Sequence, residues 1–226
     1  MQGSWAWTLY HALGTTIRLC LVTFAASLVL SALLATASSS PWRPLRIVTR
    51  VVVDLLRSIP ILALLIFVYY GLGKYTASWQ ISPFWMAAIA LTLGESAFLS
   101  EIFRAGIEAI PRSQWEAAKS LGFRWLATLR LVIAPQTLLP SMPAIVNMGI
   151  FTLKDSSLAS IIAVPEITQA ANDLVSNTFM PFQVFSLLAL FYLGVILPFT
   201  LFAGLAERLI ARHYGLQSDR AKAARA

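Results

Sequence analysis

The sequence predicts an all-α membrane protein with five transmembrane helices in a single domain, and three observations predict it. Hydrophobic residues make up 58% of the 226-residue chain and charged residues only 12%, a balance that soluble domains do not carry. Five runs, Leu19–Ala37, Ser58–Gly73, Tyr75–Gly94, Leu131–Leu153 and Leu174–Ala206, contain no Asp, Glu, Lys or Arg. A helix crossing a bilayer needs about 18–20 such residues. The basic residues, finally, alternate in abundance from one intervening segment to the next. The domain is expected over residues 1–215, followed by a short basic tail at 216–226.

Each element has its own justification. The first span ends in Ala35-Thr36-Ala37, the small-x-small pattern of a signal-cleavage site. Met1–Leu13 holds no Lys or Arg, however, and the apolar run is longer than a signal core, so the span is read as retained. Cys20 lies inside it and, as the one cysteine, has no intrachain partner. Ser38-Ser39-Ser40 before Pro41 reads as a turn. The second span, Ser58–Gly73, is short and is extended by Val51–Leu56, with Asp54 and Arg57 intervening. The third is Tyr75–Gly94. The fourth carries Pro135, Pro140, Pro143 and Gly149, which invite kinks or breaks. The fifth closes the bundle. Trp5, Trp7, Trp79 and Trp85 fit an aromatic belt at the outer interface.

A net charge of +7 raises nucleic acid as a partner, but the placement of the charges points to lipid headgroups instead. Arg43, Arg46, Arg50 and Arg57 follow the first span. Arg104, Arg112, Lys119, Arg124 and Arg130 follow the third, and Arg208, Arg212, Arg220, Lys222 and Arg225 follow the fifth. The opposite segments, Met1–Leu13, Lys74–Pro83 and Val164–Phe182, hold only Lys74. By the positive-inside rule the amino terminus is outside and the carboxy terminus inside.

Between the third and fourth spans, residues 111–135 form the one long polar segment the bundle holds into the cytoplasm. Pro111 breaks the preceding helix. Ser113-Gln114-Trp115-Glu116 matches a capping box, with Ser113 as N-cap. Gly122 suits the left-handed residue that ends a helix, and a second helix from Phe123 is expected to stop or kink near Pro135. Ala117 and Ala118 flatten one surface. Trp115, Leu121, Phe123, Trp125 and Leu126 supply more apolar area than so short a loop needs for itself, and Lys119, Arg124 and Arg130 rim it. Read from the residues alone, the segment is either a self-capped connector or a docking element.

In its order of Glu116, Ala117, Ala118, Gly122 and Pro135, the segment resembles the Glu-Ala-Ala loop of permease subunits in bacterial ATP-binding-cassette importers. Arg57-Ser58-Ile59-Pro60 with Tyr69-Tyr70-Gly71-Leu72, Ala97–Ile107, and Asn147 with Leu153-Lys154-Asp155-Ser156-Ser157-Leu158 are similar to stretches of the polar-amino-acid permeases, in the family's order over roughly residues 10–210. Ser58-Ile59 stands where that family has Gly-Thr. The resemblance implies a type I importer permease fold in a bacterial inner membrane and transport of a polar amino acid. It implies docking of ATPase subunits on the loop, a second permease subunit (identical or paralogous) and a periplasmic amino-acid-binding protein. The sequence holds no Walker-type glycine loop, so ATP and Mg are assigned to the partner subunits and none to this chain, which is not read as an enzyme. The alternative is a subunit of an ion-gradient-driven secondary transporter or channel. Such transporters commonly carry internal repeats, and no repeat is visible.

Glu95, Lys154 and Asp155 interrupt apolar surroundings. An ionisable group at mid-membrane costs roughly 2.5–3.5 kcal/mol, so each is expected to face the bundle interior or a water-filled cavity. Lys154 and Asp155 are neighbours and do not share a helix face. Two readings stay open. Either the charges pair with other spans, or Asn147, Lys154, Asp155, Ser156, Ser157 and Glu95 border a substrate pathway. In the second, Lys154, Asn147 and the hydroxyls meet a carboxylate, and Asp155 and Glu95 meet an ammonium group. Asn147 and Gly149 are expected to keep the Lys154 face polar and close-fitting. Glu101, Arg104, Asp54 and Arg57 are read as solvated or paired, and no set of residues has metal-ligand spacing.

Overall fold

The computed structural model describes residues 2–73 and 80–213, and every regular element among them is helical. Helix α1 runs Gln2–Ser38, α2 Arg43–Ser58, and α3 Ile61–Ile66, widening into a π turn at Phe67–Leu72. After residues 74–79, α4 spans Pro83–Glu108 and α5 Arg112–Ser120. A single helical run then passes through α6 (Trp125–Thr128), a π turn (Leu129–Ile133), α7 (Ala134–Asp155) and a 3₁₀ segment (Ser156–Ile162). Helices α8 (Ile167–Thr178) and α9 (Pro181–His213) complete the chain. The expected tail at 216–226, Lys74 and Trp79 lie outside the described residues.

Four stretches are long and apolar enough to cross a membrane: Ser4–Ser38, Pro83–Glu108, Trp125–Ile162 and Pro181–Leu205. The second expected span is not a continuous helix. Arg43–Ser58 and Ile61–Leu72 are turned by 100°, so a fifth crossing exists only if the bent pair is counted as one. The cause is local. Pro60 lacks an N–H and forces Ile59 into extended backbone (φ −87°, ψ 125°), which ends α2. The twelve residues that follow reach about 18 Å, short of the roughly 30 Å of hydrocarbon.

Two more boundaries moved. The uncharged run Leu174–Ala206 is divided, because Phe179 takes left-handed backbone (φ 55°) to end α8 and Pro181 opens α9. The fourth span was expected to kink or break at its prolines; no break occurs, and α7 passes through Pro140 and Pro143. It tightens only at Ser156. There the hydroxyls of Ser156, Ser157 and Ser160 donate to the carbonyls of Leu153, Lys154 and Ser157 at 2.7–2.8 Å, competing with the α-helical ladder.

The bundle is organised around α1 and α4, the most extensive helix pair. Thr16, Thr23, Ser27 and Ser31 form a buried row on α1, and Ala90, Gly94, Ala97 and Ser100 are buried on α4. Small side chains let backbones approach closely in a medium where apolar surface alone does not drive association. A central core joins Leu19, Leu64, Leu65, Val68, Leu91 and Ile162. A second cluster, around Leu9, Ile167 and Val184, ties α8 to α1 and α9 at one end, and Ala35, Ile107, Leu129 and Ile133 close the other. Helices α4 and α7 cross at Gly106, where an added Cβ would lie 2.8 Å from Ser141 Oγ.

Candidate functional site

At the end of α4, Pro111 caps α5 with no side-chain hydrogen bond, and the helix starts at Arg112. Ser113 therefore lies inside the helix rather than at its N-cap, and the expected capping box does not form. Pro111 provides the start instead, its fixed φ doing what Ser113 was expected to do. The end of α5 is as expected. Gly122 has φ +83°, its N–H donates to Lys119 O at 2.9 Å, and Phe123 N–H donates to Ala118 O at 3.1 Å. These two bonds are the Schellman arrangement, and a β-carbon at Gly122 would be strained whatever space surrounds it.

Beyond the turn the second helix begins at Trp125, not Phe123, and does not stop at Pro135. The π turn at Leu129–Ile133 widens the helix immediately before Pro135, accommodating the missing N–H, so α6 runs directly into the fourth span. Trp115 and Trp125 turn inward onto Ile107, Leu129 and Ile133. Leu121 (78%), Phe123 and Leu126 stay exposed together with Glu116, Ala117, Lys119 and Arg124, whereas Ala118 is buried. The result is a short helix braced from below, with an apolar, basic-rimmed tip facing outward.

The intramembrane residues fall into two groups. Asn147, Phe151 and Lys154 form an exposed row on α7, with Lys154 Nζ 5.6 Å from the Phe151 ring centre. Gly149 is on the other side of the helix, where an added Cβ would lie 3.5 Å from Phe24 Cζ of α1, so it does not shape the Lys154 face as expected. Glu95 is also on that other side. Its Oε2 accepts from Thr152 Oγ1 at 2.8 Å and from Ser27 Oγ at 3.4 Å, while its buried Oε1 has no partner. Asp155 is half-buried, Ser156 fully buried, and Ser157 partly exposed. Between α1, α7 and α9 lies an apolar cleft of about 630 Å³, with Thr152 on its wall. Glu101 and Arg104 pair at 2.7 Å, and Arg104 reaches Glu108 at 2.6 Å. Arg50 joins Glu108 at 3.4 Å, and Arg57 lies 4.0 Å from Glu101, tying α2 to the end of α4.

One buried carboxylate was not anticipated. Glu166 caps α8, its Oε1 accepting from Gln169 N–H at 2.8 Å, and its Oε2 has no partner. Thr16 of α1 accepts from Ile167 N–H at 3.1 Å, and Thr168 bonds Tyr192 of α9 at 2.8 Å. Burial pushes the Glu166 carboxyl up to about 7, against the opposing hydrogen bonds from the α8 backbone. The sequence signal was the run of hydroxyls on α1 at helical spacing, Thr16, Thr23 and Ser27, which marks a polar interior seam.

The chain matches the family described as binding-protein-dependent transport system inner membrane component over residues 14–214. It is 34% identical over 203 residues to the probable amino-acid ABC transporter permease protein PatM of Vibrio harveyi, covering 89% of this chain and 91% of that one. It is 29% identical over 205 residues to the probable glutamine ABC transporter permease protein GlnM of Bacillus subtilis (strain 168), covering 91% and 92%. A crystal structure of an amino acid ABC transporter with histidines superposes with a TM-score of 0.82 at 29% identity, over 92% of this chain and 96% of that one. An inward-facing structure of the MetNI methionine ABC transporter shares the fold, with a TM-score of 0.69 at 17% identity over 89% and 94%.

Proposed function

The chain belongs to the family of binding-protein-dependent transport system inner membrane components, and from that premise we propose that it carries a polar amino acid inward, driven by ATPase subunits docked on residues 111–135. It is an amino-acid ABC transporter permease subunit, a multi-pass membrane protein and a transport component rather than an enzyme. ATP and Mg are bound by the partner ATPase. A second permease subunit completes the pathway, and a binding protein delivers substrate from the outer face.

The observation that carries the docking assignment is the tip of α5. Leu121, Phe123 and Leu126 are exposed at a turn whose geometry Gly122 sets, while Trp115 and Trp125 pack inward. Apolar side chains held out on a braced helix suit insertion into a cleft of a soluble partner. Motion of the ATPase pair is passed through this contact into the fourth span. On that span the exposed row Asn147, Phe151 and Lys154 supports a pathway wall, where amide and ammonium donors meet a substrate carboxylate. Asp155 and the Ser157 hydroxyl border the same end. Glu95 acts on the ammonium group only after α1, α4 and α7 separate, because in this conformation it is enclosed.

Docking is tested with a Leu121→Cys variant on a Cys20→Ser background, co-expressed with the ATPase. A photoreactive label at position 121 is expected to cross-link to the ATPase. A purified, ATP-hydrolysing complex in which position 121 gives no cross-link would remove the assignment.

A further inference from the structure

Helix α2 does not belong to the straight part of any span, and its side chains divide along its length. Arg43, Arg46, Arg50 and Arg57, at spacings that return to one side of a helix, form a basic edge with Asp54 among them. Leu45, Val48, Val52 and Leu55 form the opposite edge with Val51 flanking it, Ile47 falls beside Arg43 and Arg50, and all six apolar residues are exposed. The line between these edges, Thr49 and Val53, is buried where α2 packs on α1 and α4. Trp42, 64% exposed, stands at the start of the helix, where amphipathic rings seek the headgroup level.

The placement of α2 fits this division. The 100° bend after Ser58 turns α2 away from α3, whose Ile61 and Leu64 pack against Gly94 in the bundle. The basic edge is held at the polar end of α4 by Arg50–Glu108 and Arg57–Glu101, with Arg57 also 5.4 Å from the Phe98 ring centre. Arg46 spends part of its guanidinium on Ser40 O at 3.1 Å. Among the described residues the acidic partners lie toward the Arg57 end, so the amino-terminal half of the edge, Arg43 and Arg46, has no acidic partner there. A helix with a charged edge, an opposed apolar edge and a position at the end of a bundle satisfies both edges at once at a membrane surface.

We propose that α2 is an interfacial anchor that sinks Val48, Val52 and Leu55 into the acyl boundary of one leaflet and binds anionic phospholipid headgroups through Arg43 and Arg46. The proposal rests on the membrane-spanning reading of the chain but not on its substrate or its ATPase contact, so transport is not the readout. Basic residues next to an anionic leaflet contribute about 1 kcal/mol each, roughly a fivefold preference per residue.

The test uses the full-length chain, Cys20→Ser, in vesicles of phosphatidylcholine alone or mixed with phosphatidylglycerol. Spin labels are placed singly from position 43 to 55. Labels at 48, 52 and 55 are expected to relax with oxygen, and labels at 43, 50 and 54 with a water-soluble nickel chelate. If 48, 52 and 55 are closed to both reagents, a second permease subunit or another protein covers that edge and the proposal fails. It fails equally if they meet the chelate. In a second arm, an Arg43→Gln, Arg46→Gln variant should retain several-fold less phosphatidylglycerol relative to phosphatidylcholine on extraction, while Arg43→Lys, Arg46→Lys retains it. Unchanged selectivity in a folded glutamine variant, or its loss in the lysine variant as well, would overturn the headgroup assignment.

Discussion

At the scale of single residues, Gly122 carries a backbone role and Lys154 a chemical one. A β-branched residue in left-handed backbone costs on the order of 1–3 kcal/mol, so Gly122→Ile should distort the tip of α5 and spare the spans. Expected are normal membrane insertion and reduced ATPase co-purification, with uptake lost; full uptake would show that the turn is not needed. Lys154→Met should assemble with the ATPase and lose uptake or change its selectivity. Lys154 is exposed beside Phe151, and among the described residues it forms no ion pair for the substitution to break. Transport of unchanged affinity and selectivity in that variant would return Lys154 to a structural role. Gly122 was legible in the sequence because few residues suit φ near +83°. Ser113 was misread because a capping-box pattern does not reveal that Pro111 has already started the helix.

At the scale of elements, α8 is held by a buried cap rather than by apolar packing alone. Burial pushes the Glu166 carboxyl up from about 4.5 to about 7, so its neutral form is the one the fold favours. The sign follows: its contribution is fully present below about pH 4.5 and is lost as pH rises through about 7. The protection of the α8 amides, taken relative to their base-catalysed intrinsic exchange rate, should therefore fall across that window. Glu166→Gln keeps an oxygen for the Gln169 N–H and removes the charge, so it should flatten the dependence; an equally steep profile in the variant would exclude Glu166 as its source. The long elements were readable because their uncharged runs match the bilayer thickness. The bend at Pro60 and the split at Phe179 were not, because an uncharged run reports where a chain can be buried and says nothing of its direction.

At the scale of the whole molecule, orientation is the claim most open to a direct check. Reporters fused after Ala226 or inserted near Ser39 should read cytoplasmic, and one near Asn177 periplasmic, from the bias of fourteen basic residues against one. A periplasmic carboxy terminus would separate residues 111–135 from ATP. The motif order was enough to bring the family into view, whereas the split of Glu95 from Lys154 depended on which face of α7 meets α1, a tertiary fact. The unbroken helical run Trp125–Ile162 has a mechanical consequence. No break in the helix separates Leu126 from Lys154, so the two are ends of one helical run about 42 Å apart at 1.5 Å per residue. If the run moves as one body, a tilt of about 10° at the tip carries the far end sideways by roughly 7 Å, a lever whose long arm turns a small swing into a displacement wider than a side chain.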